Sequence, residues 1–366
     1  MNDQIKVGII GVSADRGWAT VAHIPAIKSL PQFKLAAISN RHPDQAIAAG
    51  KAYDVLHTYH STDELVNSED VDLVVVTVKV PQHKTVVEAA INAGKNIYCE
   101  WPLGNGLAEA EELAQKAKEK GIYGVVGLQS RAVPAINFIK DLVKDGYVGE
   151  VLSTTLVGSG IYYGAFTDQT TAYAMDAKNG AGMIYSTFGN SIDALCYCLG
   201  EFQELNATAI NRRKVTTVVE TGEEIPMTVF DQIAVTGILE SGAVATAHFR
   251  GGMFKGTNFF WEINGTKGDL LITADGGHPG VFELTIKGGQ DNALAVIPVP
   301  EKYFNVKMEP KQGPAYNIAE NYARLGSDLL EGTHLSATFE DAVVRHRMIN
   351  AIEVAAATGQ RQTYLK

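Results

Sequence analysis

The residues with the plainest chemical promise come first in the chain. The run "KVGIIGVSADRGWATVAHIPAI" sets Gly8, Gly11 and Gly17 between a strand-like segment and a helix. A strand, a glycine turn and a helix start, in that order, aim backbone N–H groups and a positive helix end at a spot where a pyrophosphate can sit. The spacing departs from a strict G-x-G-x-x-G, which would place glycine at Ser13 and shorten the loop. Gly11, Ser13, Gly17 and the following Trp18 are the candidate contacts. At the end of the second strand, "AAISNRHPD" offers Ser39, Asn40 and Arg41. An Asp or Glu there would bind the ribose 2′-hydroxyl of NAD, whereas an arginine accommodates the 2′-phosphate of NADP. NADP is the expected cofactor and NAD the alternative, although a solvated surface cation is the commoner fate of an arginine after a strand.

These residues need a scaffold. From Ile5 to about Val126, short β-branched runs ("KVGII", "KLAAIS", "DLVVVTV", "NIYC", "YGVVG") alternate with amphipathic ones, the pattern of β-α units around a parallel sheet. "HKTVVEAAINAG" and "LAEAEELAQKAKEKG" have apolar spacings of three and four and end at Gly94 and Gly121, as helices do. After a helix from about Val133 to Lys144 the texture changes to longer strands, "VLSTTLVGS", "DQIAVTGILE", "AVATAHFRG", "NFFWEING", "GDLLITA" and "FELTIKG", joined by glycine-rich turns. They predict an open, largely antiparallel sheet. Helices near Ala315–Leu330 and Phe339–Thr358 are expected to pack back on the first half. The fold class is therefore α/β, with a Rossmann-type doubly wound domain over 1–130 and an open-sheet domain over 131–366.

Composition narrows the function. The chain has 366 residues, 46% of them hydrophobic, with a formal net charge of −10. The longest basic run is Arg212, Arg213 and Lys214, too little to grip a phosphate backbone, so direct nucleic-acid binding is not expected. The opening "MNDQIKVGII" lacks the form of a targeting segment, and no apolar run approaches a membrane span, which reads as a cytoplasmic protein. Cys99, Cys196 and Cys198 have no metal-ligand spacing; they read as small buried hydrophobes, and no metal is expected.

The glycine loop with His23, then His83 followed by "AAINAGKNIYCEWP", "GYVGEV", "GAGMIYSTFGNSID", "NGTKGDL" and the closing "FEDAVVRHRMINAIEVAAATGQ" resemble the Gfo/Idh/MocA family of nicotinamide-dependent oxidoreductases. That family acts mostly on sugars and cyclitols. The resemblance covers nearly the whole chain. It implies a Rossmann domain followed by an open-sheet domain, a small carbohydrate substrate, assembly as a homodimer or homotetramer, and cofactor contacts at Val78, His83, Glu100, Pro102 and Gln129. The family's chemistry depends on Glu-Lys-Pro after the fifth strand and on D-x-x-x-H in the second domain. Glu100 and Pro102 match here, but Trp101 stands at the lysine position, Ser186 at the aspartate position and Asn190 at the histidine position. Asp193 matches a substrate-domain aspartate. Within the family the sequence resembles the subfamily of the yeast galactose-regulon repressor, which similarly has Glu-Trp, a "GW" after the first loop, "LQ-R" and "TFG". That likeness implies a protein partner if the chain is regulatory.

Oxidising a carbinol by hydride transfer releases a proton that some group must take. Trp101 has only an indole N–H donor, and Ser186 and Asn190 bind hydroxyls without being general bases. Lys79 on the loop after the fourth strand, Tyr162, Tyr163 and Tyr185 in segments expected to face the cleft, and His248 on a second-domain strand are the substitutes. A tyrosine with a lowered pKa beside a cation would serve. Gln129 and Arg131 at the end of the sixth strand are expected to bind polar ligand groups. The commoner roles are a phosphate or solvent contact for Lys79, packing or substrate binding for the tyrosines, with Tyr162 and Tyr163 as substrate contacts, and a satisfied sheet position for His248.

Overall fold

In the computed structural model, residues 4–291 and 293–365 are described. The chain divides into two compact units, one of residues 1–132 and 305–343, the other of 133–304 and 344–366.

The first unit holds a six-stranded parallel sheet of β1 (Ile5–Ile10), β2 (Phe33–Ser39), β3 (His57–Tyr59), β4 (Leu73–Val76), β5 (Asn96–Cys99) and β6 (Gly124–Val126), in the order β3-β2-β1-β4-β5-β6. All four residues of β4, "LVVV", are buried, as a strand covered on both faces requires. The order reverses between β1 and β4, and a doubly wound sheet opens its binding crevice at such a reversal. Gly94 and Gly121, read from sequence as helix stops, follow the helices His83–Asn92 and Leu107–Lys120 with positive φ.

Register lines up the strand ends. Ile10 pairs with Ser39 and Val76, Val76 with Cys99, and Cys99 with Val126. The next residues, Gly11, Asn40, Thr77, Glu100 and Gly127, therefore form one row along the carboxyl edge. The helix after the glycine loop opens with a π-turn, Ala19–His23, before Ile24–Ser29. Pro25 explains it: a regular turn would set the proline ring against the Val21 carbonyl, and the wider turn removes that clash.

The second unit is built on an eight-stranded sheet with one outward face. Its strands are β7 (Val151–Gly160), β9 (Phe202–Ile210), β12 (Gln232–Leu239), β13 (Val244–Gly251), β14 (Phe259–Gly265), β15 (Asp269–Ala274), β16 (Thr285–Gly289) and β17 (Ala295–Val296), with β8 (Phe166–Thr167), β10 (Val215–Val218) and β11 (Glu224–Pro226) forming a separate small sheet. The order β17-β16-β15-β14-β7-β13-β12-β9 is antiparallel except for the parallel pair β7 and β13. The inner residues Phe249, Trp261 and Ile272 are at most 1% exposed. The helix Thr187–Leu199, which the sequence reading did not anticipate, packs on this face, with the Phe188 and Phe249 rings edge to face at 5.4 Å. Gly158 makes room, since a Cβ there would strike the Phe249 ring.

Candidate functional site

The crossover between β1 and β4 is built around Gly11. Its φ is +102°, and a Cβ would lie 3.0 Å from Val78 Cγ1 and 3.2 Å from the Val78 nitrogen, so the two loops meet there only because the position is glycine. Gly17, φ +94°, turns the loop into the helix. The loop is braced from within. Gly11 and Val12 donate their N–H groups to the Ser39 carbonyl, and Thr20 Oγ1 donates to the Ser13 carbonyl at 2.8 Å.

Beside it, Asn40 Nδ2 donates to the Val12 carbonyl at 2.7 Å and to Gln45, while its Oδ1 accepts from the His42 N–H. Asn40 thus shapes the turn. Ser39 is buried, and Arg41 is exposed with Nε 3.1 Å from His42 Nε2.

His83 was expected to contact the cofactor and proves instead to be a brace. It is buried, with Nδ1 2.8 Å from the Pro102 carbonyl and Nε2 2.9 Å from the Val78 carbonyl. Burial lowers its pKa despite the two carbonyls, which pull the other way. Both ring nitrogens are engaged in tying the loop after β4 to the loop after β5, whose Trp101–Pro102 bond is cis.

Glu100, in the row of strand ends, is held by His23. His23 Nε2 lies 3.0 Å from Glu100 Oε1, and His23 Nδ1 lies 2.8 Å from Tyr322 Oη. A carboxylate only accepts, so Nε2 carries the proton and the tyrosine hydroxyl donates to Nδ1. The rings of Tyr98 and Tyr322 stack at 5.3 Å beside the imidazole. Burial first, then the Glu100 charge, drives both phenols well above their ordinary pKa. Tyr322, from the helix Gly313–Glu331, had no local signal in sequence.

Tyr98 Oη and Ser130 Oγ are buried here with no hydrogen-bond partner among the described residues, and so are two atoms nearer the glycine loop and the end of β6, Trp18 Nε1 and Gln129 Oε1. Of these last two, one is a donor and the other an acceptor, both at carboxyl-edge loops. Together with the Gly11 cradle, they suit a polar dinucleotide lying over the edge. Arg131 Nη1 is 2.8 Å from Asp341 Oδ1, and Asp341 caps the start of the helix Phe339–Thr358 through Thr338. Trp101 is 8% exposed, and Lys79 is exposed just past β4.

In the second unit, Ser186 stands at the N-cap of the helix Thr187–Leu199, its Oγ donating to Tyr163 Oη at 2.7 Å, and Tyr163 Oη donates to the Ala181 carbonyl at 2.9 Å. Asn190, one turn on, donates Nδ2 to the Ser186 carbonyl at 3.0 Å, while its buried Oδ1 has no partner among the described residues. Ser186, Asn190 and Tyr163 are thus brought together.

Two further expectations are corrected. No candidate tyrosine has a lowered pKa: burial raises Tyr162, Tyr163 and Tyr185, with Asp168 adding to the first and Glu353 to the last. Asp193 is no substrate ligand, because it has zero exposure and pairs with the equally buried Arg345 at 3.1 Å. Arg345 also grips Glu201 through two nitrogens. His248 holds a sheet position, the commoner role expected of it: it lies on the exposed face of β13, in register with Val157 and Ala234, its pKa lowered by burial and then by Arg250. No cluster of metal-binding side chains occurs among the described residues, and none of their helices is long and apolar enough to cross a membrane.

Comparison with known proteins agrees with this architecture. Residues 5–128 match the model of the oxidoreductase family with an NAD-binding Rossmann fold, and residues 134–274 match the model of the Gal80p C-terminal domain. Dehydrogenase aclE of Aspergillus oryzae is 30% identical over 387 residues, covering 100% of this chain and 99% of that protein. The galactose/lactose metabolism regulatory protein GAL80 of Saccharomyces cerevisiae is 30% identical over 304 residues, 77% of this chain and 69% of that one. A crystal structure of a super-repressor mutant of Gal80p from the same yeast superposes with a TM-score of 0.89 at 25% identity, covering 98% of each chain. The chain belongs to the Gfo/Idh/MocA family of NAD-binding oxidoreductases, with a second domain of the Gal80p type.

Proposed function

We propose that the protein is an NAD(P)-dependent oxidoreductase that moves a hydride between its cofactor and a carbinol or carbonyl carbon of a sugar or related polyol. The observation that carries this reading is the pair of unsatisfied buried groups, Trp18 Nε1 and Gln129 Oε1, at the edge of a sheet whose strand order reverses beside Gly11. When bound, the nicotinamide accepts or supplies the hydride. NADP is favoured over NAD, because β2 ends at Ser39 and the turn after it brings Asn40 and an exposed Arg41 rather than a carboxylate for the ribose. In the second unit, Asn190 Oδ1 is a buried acceptor suited to a sugar hydroxyl, with Ser186 beside it. A full-length relative named as a dehydrogenase supports the activity. The chain is read as cytoplasmic and as a homodimer or homotetramer, the outward face of the eight-stranded sheet being the surface available for assembly.

The test is the rate of NADP reduction and NADPH oxidation across a panel of sugars, keto-sugars and cyclitols. Rates at background for every compound, with cofactor binding demonstrated, would sink the reading.

The Gal80p-type domain favours a second reading, a cofactor-binding regulator with a protein partner. The replacement of the family's lysine, aspartate and histidine by Trp101, Ser186 and Asn190 supports it. Cofactor binding without turnover, together with a partner whose affinity changes with NADP, would favour this reading over the first.

A further inference from the structure

With Trp101 at the position of the family's lysine, a carbinol needs another group to receive its proton. We propose that the Glu100 carboxylate takes that proton at Oε2, with His23 as the positioning residue that holds Oε1. This inference rests on the oxidoreductase reading above.

The geometry is specific to this carboxylate. Oε1 is fixed 3.0 Å from His23 Nε2, whereas Oε2 has no hydrogen bond among the described residues, and the side chain keeps 16% exposure against 0% for His23. One oxygen is therefore anchored and the other is available. No lysine or arginine among the described residues pairs with Glu100. His23, His83, Tyr98, Cys99 and Tyr322 are titratable groups that interact with it, and none of these is a lysine or an arginine. The absence of a side chain at Gly127 permits the arrangement, since a Cβ there would lie 2.8 Å from Oε1.

Placement along the sheet points the same way. In this strand order each half of the sheet takes one mononucleotide. The ribose-reading end of β2 belongs to the β1-β2-β3 half, which leaves the nicotinamide to β4-β5-β6, and Glu100 directly follows β5. Trp101, the next residue, contributes only an N–H donor.

The step balances. The carbinol C–H bond breaks, its electron pair passing as hydride to NADP⁺, while the O–H proton moves to Glu100 Oε2 and the C–O bond becomes a carbonyl. The products are the carbonyl compound, NADPH and a neutral Glu100 acid, which returns its proton to water.

The first test needs no substrate. Infrared difference spectra of the full-length protein with NADP⁺ or NADPH, with Glu100→Gln as the control that identifies the band, report the Glu100 carboxyl. It is expected to stay ionised to lower pH with NADP⁺ than with NADPH, because the oxidised ring is positive. A band indifferent to the redox state overturns the proposal. The second test is turnover on the sugar panel. Glu100→Gln is expected to lower kcat by about 100-fold or more, in the range of a lost general base, with NADP affinity changed less than about threefold. His23→Gln is expected to keep measurable turnover and to displace the acid limb of the pH–rate profile, which a purely structural loss would leave in place. Full activity in Glu100→Gln, or a loss confined to cofactor affinity, overturns the proposal while leaving the oxidoreductase reading intact. Loss in Lys79→Met with Glu100→Gln unaffected assigns the proton to Lys79 and does the same. A wild type silent on the whole panel removes the oxidoreductase reading, and the base assignment with it.

Discussion

Glu100 and Tyr322 sit on the two sides of one buried imidazole, His23, which joins the end of β5 to a helix more than two hundred residues later. The link makes the strand-end carboxylate a fixed element of the first unit. Removing the tyrosine hydroxyl should loosen it. Tyr322→Phe leaves His23 Nδ1 without its donor, a loss of about 1 kcal/mol for an unmade buried hydrogen bond. The expected outcome is a drop of a few degrees in Tm, measured by calorimetry, with the fold retained.

Trp18 Nε1 is a buried donor without a partner among the described residues. If NADP supplies the acceptor, Trp18→Phe loses that hydrogen bond and binds NADP about fivefold more weakly, at unchanged stability. Titration calorimetry on both proteins checks it. Equal affinities would remove Trp18 from the cofactor site.

Arg41 is exposed at the turn after β2, where a 2′-phosphate would lie. Arg41→Ala is expected to weaken NADP by about tenfold or more and to leave NAD nearly unchanged, since a charge-assisted contact is worth about 1.5–3 kcal/mol. Parallel titrations with the two cofactors read the ratio.

Asp193 and Arg345 pair with no exposure, and Glu201 completes the group. Asp193→Ala removes one partner of a buried ion pair and should cost about 3–5 kcal/mol in urea unfolding. Glu201 adds a pH dependence. Burial alone would raise its carboxyl, but Arg345 and the hydrogen bonds from Arg345 and Tyr364 outweigh burial and hold it below its ordinary 4.5. A depressed carboxyl stabilises the fold fully above the unfolded value and ceases to do so as pH falls through the folded one. Stability should therefore decline below about pH 4.5, and that decline should be shallower in Glu201→Gln, by urea midpoints across the acid range.

The parallel sheet was legible because its strands are buried on both faces, so β1, β2, β4, β5 and β6 each stand out as apolar runs between amphipathic helices. The edge strand β3 has three residues, none of them buried, and left no such run. In β9, "FQELNATAI", Asn206 and Ala207 interrupt the alternation, and a half-covered strand near polar residues passed unread. The glycine loop was readable in type and place, but the His23, Glu100 and Tyr322 network was not, because it joins residues far apart in sequence. Asp193 carried a signal that family likeness obscured. It lies in "SIDALCYCL", a helix buried almost all round, where a carboxylate must find a partner in the core.

Gly11 bears the central claim, that the carboxyl edge of the first sheet holds a nicotinamide dinucleotide. At φ +102° an alanine costs about 1–2 kcal/mol in backbone strain, and its Cβ would meet Val78 at the crossover itself. The direct measurement is NADP affinity by titration calorimetry on wild type and Gly11→Ala, with Tm measured on both. Micromolar binding to wild type, weakened about tenfold or more in a variant that still unfolds cooperatively, is the predicted result. No binding of NADP or NAD to the folded wild type would contradict the account.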